Sequence, residues 1–257
     1  MWEEKEFIDP FDKDGKYFWM KVEQLGRYLF ARDEINKTNY LSPRVCDLGC
    51  ANGYGTKVVS KVAGEIVGLD INEEYLSCAK QNAKESETYL AVNFENVCPK
   101  LGTFDYITAF EFVEHLENPD KVMQFFSQSL TKDGKLILSI PNPEYESVKD
   151  GTPCNHFHKK LYTDSEFTKL LNNYGFEVER KLYQPYPNIF SKQEAKFAKK
   201  GRLSLNSADD EIFKQKDIIT YFAYLLGYPT EEQSQKSYSF IYVAKKVNYK
   251  KRVQIKS

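Results

Sequence analysis

From about residue 44 to residue 184, short apolar runs alternate with amphipathic stretches. Strands and helices taken in turn give that pattern, and it calls for a parallel sheet covered on both faces. The predicted order is strand 44–47, helix 56–63, strand 65–70, helix 73–84, strand 88–93, strand 104–110, helix 120–130 and strand 135–140. Pro141 and Pro143 stop the last of these, because proline cannot donate to a ladder. Residues 142–162 are rich in Pro, Asn, His and Lys and too long for a plain connection, so they read as a functional loop. Thr163 is a fitting N-cap for a helix over 163–174, and Gly175 ends it. Two further β-rich runs, 176–184 and 237–247, are joined across an insertion, 185–236, with helical candidates at 191–200 and 212–226. With a helical segment within residues 1–40, the expectation is a single α/β domain over 1–257. It has a doubly wound, mostly parallel, seven-stranded sheet and a helical insertion before the last strand.

Composition narrows the partners. The 257 residues are 41% hydrophobic and 28% charged, enough apolar surface for a buried sheet. Lys and Arg total 36 against 37 Asp and Glu, and a net charge of −1 gives no field to draw in a polyanion, which argues against nucleic acid. The basic end of the chain, with Lys250, Lys251, Arg252 and Lys256, reads as a solvated tail. Cysteines at 46, 50, 78, 98 and 154 form no CxxC pair, so reduced thiols and a cytoplasmic location are expected. The charged start of the chain and the lack of any apolar run near 18 residues predict neither secretion nor a membrane span.

Chemistry concentrates at the run Asp47-Leu48-Gly49-Cys50-Ala51-Asn52-Gly53-Tyr54-Gly55, where the first strand meets the first helix of the alternating series. Glycines there let backbone lie against a ligand, and the helix start supplies N–H donors. Asp70, 23 residues after Asp47, ends the second strand, where a carboxylate can accept both hydroxyls of a ribose. A dinucleotide would need its pyrophosphate in the same loop. The carboxylate of Asp47 at the loop's head repels a diphosphate and suits a ligand bearing an ammonium and a sulfonium. The spacing G-x-x-x-G-x-G also departs from the dinucleotide fingerprint.

These residues resemble the class I S-adenosylmethionine (SAM) dependent methyltransferases, a family with a Rossmann-like fold. The resemblance continues through Asn93-Phe94-Glu95 and Phe104-Asp105-Tyr106-Ile107-Thr108-Ala109-Phe110-Glu111. Upstream, Leu25-Gly26-Arg27-Tyr28-Leu29-Phe30-Ala31 is similar to a helix of the branch that methylates sugars of bacterial surface polysaccharides. The loop Asn155-His156-Phe157-His158-Lys159-Lys160-Leu161-Tyr162-Thr163 is similar to that branch's histidine loop, with departures at His156 and Leu161. The resemblance implies SAM as cofactor, held by Arg27, Tyr28, Asp47, Gly49, Cys50, Gly53, Tyr54, Asp70, Ile71, Asn93, Phe94 and Phe110. In this reading Arg27 and Tyr28 lie near the SAM carboxylate, Phe94 contacts adenine, and Phe110 and Glu111 line the reaction centre.

A hydroxyl acceptor also has to lose its proton, and histidine suits that work. Of the three histidines, His115 is the first candidate for the base and His158 the second. Glu111 and His115 share a face if their turn is helical, and that face would look toward the acceptor. The catalytic set is therefore His115, Glu111 and His158, without a metal. A divalent metal on Glu111, Glu114, His115 and either His156 or His158 is the alternative, since small-RNA 2′-O-methyltransferases use a similar run. The expected activity is O-methylation of a sugar nucleotide or surface-glycan precursor. RNA 2′-O-methylation with a divalent metal, small-metabolite methylation and a non-catalytic scaffold are the alternatives. Oligomeric state stays open.

Overall fold

The computed structural model describes residues 8–11, 18–38, 40–144, 148–149, 152–153, 155–185, 215–231 and 237–247. Helix α1 (Phe18–Asn36) leads into β1 (Arg44–Leu48), α2 (Tyr54–Val59), β2 (Glu65–Asp70), α3 (Glu73–Gln81) and β3 (Glu87–Ala91). Then come β4 (Phe104–Phe110), a 3-10 turn at Val113–His115, α4 (Asp120–Ser129) and β5 (Leu130–Pro141). A two-strand ribbon, β6 (Val148–Lys149) and β7 (Thr152–Pro153), precedes α5 (Asp164–Asn173) and β8 (Phe176–Pro185). Helix α6 (Lys216–Phe222) continues as a π-helical turn, Ala223–Gly227, before β9 (Ser237–Lys246).

The large sheet has seven strands in the order β3-β2-β1-β4-β5-β9-β8. Strands β1 to β5 pair in parallel, and β9 runs antiparallel between β5 and β8. The sheet is thus mixed, as "mostly parallel" requires, and the insertion does fall before the last strand. Thr163 caps α5 through a full capping box with Glu166. Element ends shift by a few residues: α2 begins at Tyr54 because Gly53, in a left-handed conformation, caps it. The helical candidate 191–200, residues 212–214 of the second one, and the basic tail lie outside the described residues.

Side chains alternate across each strand, so the two faces carry separate cores. One face packs Cys46, Ile107, Leu136 and Leu138 against Phe125 and Phe126 of α4 and Phe167 of α5. The other packs Val45, Tyr106, Ile137 and Val243 against Leu25, Leu29 and Phe30 of α1 and Val58 and Val59 of α2. Each fully buried side chain of this size contributes roughly 1.5–3 kcal/mol. On the α1 face the apolar pattern turns polar at one end of the strands. Asp47, Thr108, Ser139, Ser239 and Gln184 are all 0% exposed, one from each of β1, β4, β5, β9 and β8. This buried polar band runs beneath α1 and forms the floor on which the site stands.

Candidate functional site

A cleft of about 550 Å³ opens where the parallel strands end. That size is ordinary for a small-molecule site. Its lining comes from α1, the glycine-rich turn, the tips of β2, β3 and β4, and the loop 155–159. Of the residues the sequence singled out, Arg27, Tyr28, Gly49, Tyr54, Asp70, Ile71, Asn93, Phe94, Phe110, Glu111, His115, His156 and His158 face it.

Asp47, Cys50 and Gly53 are not among the residues that line the cleft. Asp47 lies in the polar band and accepts hydrogen bonds from Thr56 Oγ1 (2.6 Å), Thr108 Oγ1 (2.8 Å) and the Tyr28 hydroxyl (3.3 Å). Burial raises its pKa to about 6, against the pull of those three donors. The carboxylate thus ties the first strand to α1, α2 and β4 from behind the cleft wall. Cys50 is buried among Leu76, Ala79 and Tyr89. Gly53 is left-handed at φ 79° and sits against Tyr89 and Ala79.

Asp70 is at the lip. Its two oxygens accept the backbone N–H groups of Ala51 (2.8 Å) and Asn72 (2.9 Å), which fix the carboxylate at the strand tip. Gly49 adopts φ +69°, and a Cβ there would stand 2.9 Å from the Phe112 ring. Only glycine allows both that conformation and that contact. Phe94 is buried edge-on against Phe112 and Phe125, and the Glu95 carboxylate accepts from the Glu117 and Asn118 amides to close this end.

Helix α1 presents Met20, Glu23, Gln24, Arg27 and Tyr28 to the cleft, an i, i+3, i+4, i+7, i+8 stripe. Glu23 and Gln24 were not singled out from the sequence; their spacing from Arg27 was the available signal. Burial lifts the Glu23 carboxyl to about 8, with Arg27 pulling down and Glu111 pushing up.

Glu111 and His115 do not share a helical face. Glu111 has a left-handed backbone, φ 47°, and only a 3-10 turn follows at Val113–His115. The Glu111 carboxylate turns to the floor, where Ser139 Oγ donates to it at 2.7 Å and Arg27 Nη1 lies 3.9 Å away. His115 turns to the loop instead. Its Nδ1 is 3.0 Å from the Phe157 carbonyl, which can only accept, so in the neutral ring Nδ1 carries the proton and Nε2 the lone pair. Burial, then the neighbouring His158, lowers the His115 pKa. The two imidazoles meet edge to face at 5.0 Å between centroids. Asn155 Nδ2 lies 3.1 Å from His158 Nε2, and the Lys159 and Lys160 amides donate to the Glu114 carbonyl, pinning the loop to the 3-10 turn.

Glu114, His115 and His158 bring three ligand atoms within 4.8 Å of one another, a set able to hold a divalent ion. This set differs from the one drawn from the sequence. Glu111 is engaged by Ser139 and stands outside it, and of the two loop histidines it takes His158.

A family model described as a methyltransferase domain matches residues 19–181. The chain is similar to a probable S-adenosylmethionine-dependent methyltransferase of Mycolicibacterium smegmatis, 29% identical over 138 residues, covering 54% of this chain and 53% of that protein. It is also similar to the ubiquinone biosynthesis O-methyltransferase of Colwellia psychrerythraea, 25% identical over 162 residues, covering 55% of this chain and 64% of that one. The chain therefore spans less than two thirds of the length of either relative. Among solved structures, an S-adenosylmethionine-dependent methyltransferase from Clostridium acetobutylicum superposes with a TM-score of 0.58 at 12% identity, covering 90% of this chain and 95% of that one. That likeness shows the fold.

Proposed function

This chain belongs to the methyltransferase-domain family, and from that premise we propose that it transfers the methyl group of SAM to a hydroxyl of a polar acceptor, a sugar nucleotide or surface-glycan precursor. The observation that carries the reading is one continuous cleft from Asp70, across Gly49 and Phe110, to His115, whose Nδ1 lies 3.0 Å from the Phe157 carbonyl.

The residues fit SAM. Asp70 takes the ribose hydroxyls, and Ile71, Asn93 and Phe94 flank the adenine. Tyr28, Tyr54 and the Gly49 backbone border the methionyl chain, and Arg27 takes its carboxylate. The Arg27 Nε is buried and has no hydrogen-bond partner among the described residues, which suits an anionic ligand group. Asp47, Cys50 and Gly53 shape this half from behind. SAM supplies an electrophilic methyl on a sulfonium, so the protein's own work is alignment, exclusion of water and removal of one proton. His115 Nε2 accepts the acceptor's hydroxyl proton, and the Phe157 carbonyl keeps its Nδ1–H oriented throughout. His158 braces His115, while Glu111 balances the charge of Arg27 at the floor. The acceptor end is lined by Asn155, His156, Lys159 and Tyr238, polar groups with one cation that match a hydroxylated, phosphate-bearing molecule.

Incubation with methyl-labelled SAM and a panel of nucleotide sugars, small phenols and short RNAs, followed by mass spectrometry, tests this. Label on a sugar hydroxyl is the expected result. Label on a phenol or on RNA alone would overturn the acceptor class, and no label on any would overturn the activity.

A second reading is favoured by the Glu114, His115 and His158 cluster. Those three residues would hold a divalent ion, which would supply the lowering of the acceptor hydroxyl's pKa in place of a free imidazole, as an RNA 2′-O-methyltransferase would require. Activity lost on EDTA treatment and restored by added Mg, Mn or Zn would select it over the first.

A further inference from the structure

Gln184 lies at the end of β8, is 0% exposed, and does not line the cleft. Its side chain makes three hydrogen bonds that together leave no freedom. Nε2 donates to the Glu23 carbonyl and to the Gly227 carbonyl, each at 2.6 Å, and Oε1 accepts from Arg27 Nη1 at 2.8 Å. Carbonyls only accept and a guanidinium only donates, so the partners dictate the amide's orientation. Arg27 Nη1 is thereby anchored from below, and Glu111 Oε1 stands 3.9 Å from the same nitrogen. The Nε of that guanidinium has no hydrogen-bond partner among the described residues.

The Gly227 bond reaches into the insertion. A Cβ at Gly26 would lie 2.2 Å from the Gly227 oxygen, so α1 and the π-helical turn meet backbone to backbone. Gln184 fills the corner where β8, α1 and the insertion converge.

We propose that Gln184 is a positioning residue for cosubstrate binding: it holds the Arg27 guanidinium in the orientation that receives the carboxylate of SAM, and it locks that orientation to the insertion through Gly227. This rests on the SAM reading above. Without the amide, Arg27 keeps its charge but loses the bond that aims it. The insertion thus contributes to the cofactor half of the cleft.

The test compares two ligands by calorimetry: S-adenosylhomocysteine, which carries the carboxylate, and 5′-methylthioadenosine, which lacks the amino-acid end. Gln184→Met is expected to weaken S-adenosylhomocysteine roughly tenfold or more, the effect of losing a charge-assisted hydrogen bond, and to leave methylthioadenosine unchanged. In an Arg27→Met background, Gln184→Met is expected to add nothing further, because the two act as one unit. Gln184→Asn keeps a neutral amide but is one methylene too short to reach all three partners, so it is also expected to weaken S-adenosylhomocysteine selectively. It carries the test if Gln184→Met does not fold.

Equal losses for both ligands in either variant, or additive effects of Gln184→Met and Arg27→Met, would overturn the assignment. A wild-type protein that binds S-adenosylhomocysteine no tighter than methylthioadenosine would overturn it while sparing the SAM reading. A wild-type protein that binds neither would instead remove the SAM reading itself.

Discussion

Glu23 offers a quantitative check on the electrostatics of the cleft. The residue is 6% exposed, and its carboxyl is pushed up to about 8 from the usual 4.5. Burial is the main cause. The Arg27 guanidinium opposes it and the Glu111 carboxylate reinforces it. Between those two values the folded chain keeps a proton that the unfolded chain has lost. The stability this proton confers is fully present below 4.5 and is lost as the pH rises through 8. A full pKa unit corresponds to about 1.36 kcal/mol, so from about pH 6 to about pH 7.5 the protein loses about 2 kcal/mol through this one group. Glu23→Gln places a permanently neutral amide of the same shape there and removes that slope. Urea denaturation of both proteins at the two pH values measures it, and comparing the two proteins cancels every other titrating group. Glu23→Gln is expected to gain about 2 kcal/mol on the wild type over that interval. Parallel stability profiles would refute the reasoning, since they would mean that Glu23 ionises in the folded chain as it does in water.

Three further outcomes follow from the same geometry. His115→Ala is expected to lower turnover by roughly 10²–10⁴ with little change in S-adenosylhomocysteine affinity. In the wild type, the acid limb of kcat/KM falls below the ordinary histidine value and moves up in His158→Asn, because His158 is one of the causes that lower His115; a limb that does not move would remove that coupling. Thr108→Val keeps the shape of the side chain but takes a 2.8 Å hydrogen bond from the Asp47 carboxylate, and is expected to cost about 1–3 kcal/mol. Burial already pushes the Asp47 carboxyl up to about 6, and losing a donor raises it further. Its proton stabilises the fold fully below the unfolded carboxylate value and ceases to do so above the folded one, so the deficit is larger at about pH 7.5 than at about pH 5. A uniform deficit in denaturation experiments would contradict this.

Much of the fold was legible because it rests on local signals. Short apolar runs marked β1, β2, β4 and β5, and the amphipathic stretches between them marked the helices. Thr163 and Glu166 wrote a capping box that needs four consecutive residues and nothing distant. The glycine-rich turn and Asp70 were legible for a similar reason: a strand tip followed by a helix leaves few places for the acid and the bare backbone. The sequence alone therefore determined the strand and helix order, the edge of the sheet that carries the site, and the histidine set that gathers there.

What tertiary structure decided is how each polar side chain is used, because that depends on partners far along the chain. Asp47 reads as a ligand contact until Thr108, 61 residues away, and Tyr28 close on its oxygens and turn it into a brace. Glu111 reads as the partner of His115 until a left-handed backbone sends it to Ser139. Gln184 is marked in the sequence only as the end of the β-rich run 176–184, yet it joins Arg27, 157 residues away, to the insertion. Hydrophobic period is set by neighbours one to four residues apart, so a sequence displays it directly. A buried polar group must find its hydrogen bond wherever the fold brings a donor or acceptor, and that place is fixed only when the strands have paired and α1 has come down on them.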